Sequence, residues 1–259
     1  MLPQLIRATR LAGQQIMDIQ KRSYKVSIKA DSSPVTEADQ AAEDIILEIL
    51  ERVAPGVPLV AEEQSERDGL IAVPGDLFFL IDPLDGTKSF IKGDDSYTVN
   101  IALIHKQKPI LAVVGVPAMG AIYWGLNLEK AGKITWRGPE EINRSISTRK
   151  APASGLTVVA SVSHLDAKTE AYIKHFNVAD HQAVGSSLKF CLLAEAKADL
   201  YPRFGPTREW DTAAGQGVLM AAGGQVYHPD NSSFLYNKKG FLNGPFVAVG
   251  DPSIALPNP

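Results

Sequence analysis

The sequence predicts an α/β layered sandwich: stacked helical and sheet layers in two close-packed lobes. Three observations support this. Short apolar runs joined by tight turns fill the middle of the chain, as antiparallel strands do, and strand-like and helix-like segments alternate in the second half. Between them, a polar stretch from Thr135 to Gly155, with Arg and Ser prominent, marks a lobe boundary. The lobes are drawn at 1–150 and 151–259, and 259 residues that are 45% hydrophobic suffice for a sizeable core.

The elements follow in chain order. Leu2, Leu5, Ile6, Ala12, Ile16 and Ile19 are spaced along one face of an N-terminal helix, interrupted only by Thr9. A loop then leads into a second helix whose predicted buried stripe is Ala42, Ile45, Ile46, Ile49 and Val53, stopped by Pro55-Gly56. "VPLVAEE" and "LFFLIDP" read as two strands that end in acid. "YTVNIALIH", "PILAVVGVP" and "GAIYWGL" read as three more, the first two joined through the polar turn at 106–108. In the second lobe, "LTVVASVS" and "DLYPRF" read as strands and "SSLKFCLLAEAKA" as a helix with Leu188, Cys191, Leu192 and Glu195 marking its turns. "DTAAGQGVLMAA" is a helix ended by Gly223-Gly224, and "QVYHP" and "FVAVG" are late strands.

Composition narrows the function. A net charge of −3 gives no broad attraction to nucleic acid or anionic lipid. The lone Cys191 excludes an intrachain disulfide framework and fits a reducing compartment. The N-terminus lacks the pattern of a signal peptide, and no apolar run approaches the ~18 residues of a membrane span. The expectation is a cytoplasmic globular protein; peripheral contact of the amphipathic N-terminus with the inner membrane face stays open, as does the oligomeric state.

The chemistry lies in the carboxylates. Glu62 and Glu63 follow one predicted strand, Asp82 and Asp85 another, and Asp211 sits at the start of a late helix. Each has an ordinary structural reading: Asp85-Gly86 as a turn pair, Asp211 as a helix cap, and Asp39 as part of a capping box with Thr36. If the two strands are sheet neighbours, however, their carboxylates converge. Two like charges ~4 Å apart repel by roughly 4 kcal/mol at a protein-like effective dielectric, so such a cluster calls for cations. Oxygen ligands without His or Cys select Mg²⁺, Mn²⁺ or Ca²⁺ rather than zinc. Pro83 stiffens the turn and leaves the Leu84 carbonyl able to face an ion, while Gly86 permits close backbone approach. Thr87 adds a hydroxyl that can orient water, completing the equipment for metal-assisted hydrolysis of a phosphate ester.

Asp39, "AEE" at 61–63, "DPLDGT" at 82–87 and "WDTAAG" at 210–215 occur in the order found in the lithium-sensitive inositol monophosphatase-like phosphatases, which the chain resembles over nearly its whole length. The later stretch "GSSLKFCLLAEAKADLYPRFGPT" is similar to that of the 3′(2′),5′-bisphosphate nucleotidases of the CysQ type. The resemblance implies an αβαβα sandwich and two to three Mg²⁺ ions. It places Glu62, Asp82 and the Leu84 carbonyl on one ion and Asp82, Asp85 and Asp211 on a second, with Glu62 sharing in a third. It also implies that Asp39 and Thr87 pair so that the hydroxyl orients and helps deprotonate the attacking water. Gly86, Thr87, Ser186, Lys189, Arg203 and Asp211 would bind the substrate. Ser186 and Lys189, three apart, are expected on one helix face.

The activity implied is removal of the 3′-phosphate from adenosine 3′,5′-bisphosphate, with its 5′-phosphosulfate analogue as a further substrate, in clearing a by-product of sulfur metabolism. The same machinery acting on inositol or sugar phosphates is the alternative. A non-catalytic module holding a nucleotide or Ca²⁺ is the reading from another class, and Asp39 and Thr87 stand against it. Around this set, Glu63 reads as a neighbour of an ion or a solvated acid, and Lys189 and Arg203 have a plain reading as surface cations. Arg208 could also reach phosphate, with Ser187 and Thr207 weaker candidates. His164 lies near a position that touches nucleotide in some relatives, Cys191 reads as packing, and the segment 64–75 is a candidate lid.

Overall fold

The computed structural model describes residues 1–29, 33–70, 75–137, 139–161 and 166–257. The chain opens with α1 (Leu2–Gln20), a small hairpin of β1 (Val26–Ile28) and β2 (Pro34–Thr36), and α2 (Glu37–Val53). Then come β3 (Leu59–Ala61), α3 (Glu62–Asp68), β4 (Leu77–Asp85) and the short α4 (Thr87–Lys92). Antiparallel strands β5 (Thr98–His105), β6 (Lys108–Val116), β7 (Ala121–Leu126), β8 (Lys130–Arg137) and β9 (Glu140–Ser145) complete a seven-stranded sheet in the order 3-4-5-6-7-8-9. Only β3 and β4 run parallel within it. The second half contains β10 (Leu156–Ala160), α5 (Ala167–Ile173), β11 (Val178–Ala183), α6 (Leu188–Ala194) and β12 (Leu200–Arg203). It closes with β13 (Thr207–Arg208), α7 (Trp210–Ala221), β14 (Gln225–Tyr227), β15 (Leu242–Asn243) and β16 (Phe246–Val249). Its five-stranded sheet has the order 11-10-12-16-14, with β13 and β15 paired beside it.

Strand alternation explains the layering. Phe79 and Ile81 of β4 face a cluster formed with Leu5, Ile16, Ala42 and Ile46 of α1 and α2. Phe78 and Leu80, one residue out of phase, pack against Phe190 of α6 and Val218 and Leu219 of α7. Both faces of β4 are therefore buried, which is why "LFFLI" is apolar without a break. Phe246 and Ala248 of β16 join the same middle layer, whereas Val247 and Val249 face Tyr172 and Ile173 of α5. The layers run α1–α2, seven-stranded sheet, α6–α7, five-stranded sheet, α5: the αβαβα sandwich. Each fully buried Leu, Ile or Phe contributes about 1.5–3 kcal/mol. Close approach of α7 to the larger sheet rests on two glycines, since a Cβ at Gly125 would lie 2.6 Å from the Gly217 carbonyl oxygen.

Some sequence expectations change here. The α2 stripe is rotated: Ala38, Ala42, Glu43, Ile46 and Leu50 are buried, while Ile45, Ile49 and Val53 are half-buried. Half of the polar stretch 135–155 is the β8–β9 hairpin; β9 is an edge strand exposed along most of its length, so it shows no apolar alternation. Helix α6 stops at Ala194, leaving Glu195 beyond its end and Leu192 half-buried. Among the described residues no helix is long and apolar enough to cross a membrane.

Candidate active site

The site forms where the ends of β3 and β4 meet the start of α7. Strands β3 and β4 pair with Ala61 opposite Ile81, so Glu62 and Asp82 emerge together at the next residue. Regular alternation would place Asp82 and Asp85 on opposite faces of β4. The pairing with β5 contains an irregularity: Asp82 is opposite Asn100 and Asp85 opposite Thr98, three steps against two. This bulge turns both aspartates toward one cleft, and Pro83 sits where a ladder N–H is not required. Gly86, at φ +93°, then reverses the chain into α4.

Asp211 arrives from the other side, as the second residue of α7. It is not the cap, since Glu209 occupies that position; the Asp211 carboxylate accepts the Arg208 backbone N–H at 2.8 Å. Glu62, Asp82 and Asp211 offer one oxygen each, all within 4.8 Å of one another. Asp85 lies outside this trio, although it raises the proton affinity of both Asp82 and Asp211; its Oδ2 accepts the Ser187 backbone N–H at 2.7 Å. Burial and mutual repulsion push these acids up: Asp82 well above the ordinary carboxylate range, and Asp211, against Asp85 and Glu62, to about 8. An all-oxygen, buried and self-repelling set fits a hard divalent cation, and fits zinc poorly.

Asp39 makes both contacts that the sequence allows, the capping box with Thr36 and the pairing with Thr87. Its Oδ2 accepts the backbone N–H and the hydroxyl of Thr36, each at 2.7 Å, closing the capping box of α2. Its Oδ1 accepts the Thr87 hydroxyl at 3.0 Å, linking α2 to the 82–87 turn across 48 residues of sequence. The Leu84 carbonyl accepts more distantly from the same hydroxyl, at 3.3 Å, while the Leu84 N–H donates to Asp82.

Cations line the same cleft. Lys189 is buried, so it is not a surface cation: its ammonium donates to the carbonyls of Ser186 (2.6 Å) and Val184 (3.1 Å) and lies over the Tyr201 ring. Burial pushes it down to about 7, against the pull of Asp85. Arg203, at the end of β12, carries a buried Nε without a hydrogen-bond partner, and its Nη2 reaches the Pro206 carbonyl at 3.1 Å. Arg208 is more exposed, beside the Trp210 ring, and donates to the Gly240 carbonyl. All three line one cleft of about 390 Å³ with the acidic trio, Thr87 and Thr207.

Ser186 departs from expectation. It precedes α6 rather than sharing its face with Lys189, in a left-handed conformation at φ +50°. There its hydroxyl donates to the Ser96 carbonyl, and the tight turn aims the next N–H, that of Ser187, at Asp85. Glu63 is not solvated. It is 8% exposed and held by Lys29, whose ammonium is 2.7 Å from both Glu62 and Glu63. Burial alone would lower the Lys29 ammonium, but the two glutamates hold it above the ordinary lysine value. Nothing in the pattern "VSIKADSSP" distinguishes this lysine, so sequence reasoning missed it. Cys191 is fully buried in the middle layer, and burial pushes its thiol up. His164 and residues 71–74 of the lid candidate lie outside the described residues; residues 64–68 of that candidate belong to α3.

Comparison with known proteins is consistent with this geometry. The model of the inositol monophosphatase family matches residues 1–252. The chain is 41% identical over 249 residues to the 3′(2′),5′-bisphosphate nucleotidase CysQ of Shigella flexneri and, equally, to that of Escherichia coli K12, covering 95% of this chain and 98% of each relative. Among solved structures, CysQ from Bacteroides thetaiotaomicron superposes with a TM-score of 0.80 at 35% identity, covering 97% of both chains. An inositol monophosphatase from Anabaena shares the fold, with a TM-score of 0.73 at 22% identity.

Proposed function

The chain belongs to the inositol monophosphatase family, and from that premise we propose that it is a 3′(2′),5′-bisphosphate nucleotidase that converts adenosine 3′,5′-bisphosphate to AMP and phosphate. The observation that carries this reading is one cleft lined both by an acidic trio and by Lys189 and Arg203. A monophosphate ester needs only the acidic group. A second phosphate brings charge beyond what that group with its ions receives, and two cations beyond the trio suit it.

Glu62, Asp82, Asp85, Asp211 and the Leu84 carbonyl are the groups that would hold two or three Mg²⁺ ions, which supply charge neutralisation at the phosphoryl oxygens and a lowered pKa for the attacking water. The protein's own residues do the rest. Thr87, with its hydroxyl proton directed at Asp39, has its oxygen lone pairs free to accept from a water and aim it at phosphorus. Asp39 is held in place by Thr36, so the pair is oriented before substrate arrives. Gly86 lines the cleft beside the turn, where its backbone can approach a phosphate oxygen, and the backbone around Ser186 fixes Lys189 in the cleft lining. Arg203, which lines the same cleft, offers its guanidinium to the remaining phosphate. The test is phosphate release from adenosine 3′,5′-bisphosphate and from inositol 1-phosphate, side by side, with and without Mg²⁺. Mg²⁺-dependent release that favours the nucleotide supports the proposal, and preference for inositol phosphate overturns it.

A further inference from the structure

Glu43 has no part in the chemistry above and does not line the cleft, yet its side chain is completely buried. It lies on α2 one turn after Asp39, in the middle of the apolar stripe. An acid there needs partners, and its two oxygens accept the backbone N–H groups of Glu63 at 2.8 Å and Gln64 at 2.7 Å. These are donors of the first turn of α3, which no helical carbonyl can satisfy, and the residue at the cap position, Ala61, has no side chain that could. Glu43 supplies the missing cap from a different helix.

The location of that cap matters. Glu62 is the first residue of α3, held before by the pairing of Ala61 with Ile81 and after by the two N–H groups tied to Glu43. The same face of α2 carries Asp39, which holds the 82–87 turn through Thr87. One helical turn of α2 thus spaces the two acidic turns from each other. We infer that Glu43 is a positioning residue that keeps the Glu62 carboxylate within the ion-holding group. The inference rests on the reading of Glu62 as an ion ligand. A carboxylate is needed because both N–H groups point at it; a glutamine offers one acceptor and would turn its NH₂ against the second N–H.

The experiment measures Mn²⁺ affinity by calorimetry or by electron paramagnetic resonance for the intact protein and for Glu43→Ala, Glu43→Gln and Glu62→Gln, alongside their melting temperatures. Removing such a supporting contact weakens metal binding about 10–100-fold, so Glu43→Ala should fall in that range and Glu43→Gln near its lower end, in the direction of Glu62→Gln. A role in folding alone would lower the melting temperature and leave Mn²⁺ affinity unchanged, and that result overturns the inference. If Glu43→Ala does not fold, Glu43→Gln, which keeps the volume, decides the outcome. Glu62→Gln binding Mn²⁺ as tightly as the unaltered protein overturns the ligand reading and this inference together. Loss in Glu62→Gln with full affinity in both Glu43 variants overturns this inference alone.

Discussion

Replacing Asp82 by Asn should make the ion-free protein more stable while abolishing its response to Mg²⁺. Asp82 is 1% exposed and shares a 4.8 Å grouping with Glu62 and Asp211. At an effective dielectric of about 20, each ionised pair at that separation costs about 3.5 kcal/mol. The protein avoids much of this by retaining protons: Asp211 is pushed up to about 8, and Asp82 well above its ordinary range. An acid whose folded pKa is raised holds a proton that the unfolded chain has already released, so stability falls as pH rises from the ordinary carboxylate range through about 8. Lys189, pushed down to about 7, works in the opposite direction above that pH, but it is common to both proteins and cancels in the difference. Asparagine keeps the Oδ1 acceptor for the Leu84 N–H and removes one charge. At pH 8.5 in a chelator, Asp82→Asn should gain about 3 kcal/mol, on the order of 6–12 °C in melting temperature. At pH 5.5, below the value of about 8 to which Asp211 is pushed, that acid holds its proton and the gain should shrink. Saturating Mg²⁺ should raise the melting temperature of the unaltered protein, more at pH 8.5 than at pH 5.5, and leave that of Asp82→Asn unchanged. A variant that melts at or below the unaltered protein at pH 8.5, or that keeps the Mg²⁺ response, would refute the claim that these carboxylates are mutually frustrated and relieved by cations.

Arg203→Ala should reduce kcat/KM for adenosine 3′,5′-bisphosphate by about 10–100-fold, as expected for a lost charge-assisted contact, and change inositol 1-phosphate turnover little. Lys189→Ala should depress both substrates, because Lys189 also neutralises the buried Asp85; steady-state kinetics on the two compounds separates the cases. Thr87→Val should lower kcat by about 10²–10⁴-fold with little change in Mn²⁺ affinity, and Thr87→Ser should recover most of the loss, measured by single-turnover phosphate release. Gly125→Ala should destabilise by about 1–3 kcal/mol, read in a urea melt, since its Cβ would collide with the Gly217 carbonyl.

Residue order alone determined a large part of this protein. The unbroken apolar run before Asp82 announced a strand buried on both faces, and the Pro83 and Gly86 around the aspartates announced a turn that carries them. Those features are legible because period, turn chemistry and charge act within a few residues of chain. What the tertiary structure decided are relations between distant segments. Glu63, by sequence either a neighbour of an ion or a solvated acid, is buried against Lys29, and Ser186, expected on the helix face of Lys189, precedes that helix with its hydroxyl on the Ser96 carbonyl. Glu43 lies outside the stripe that the sequence predicts for α2, and its partners are two backbone N–H groups that no side-chain pattern encodes. The bulge that turns Asp82 and Asp85 to one cleft exists only because β5 offers two residues where β4 spends three. Local preferences can be read along the chain; contact partners form only where folding has brought separate segments within a few ångströms.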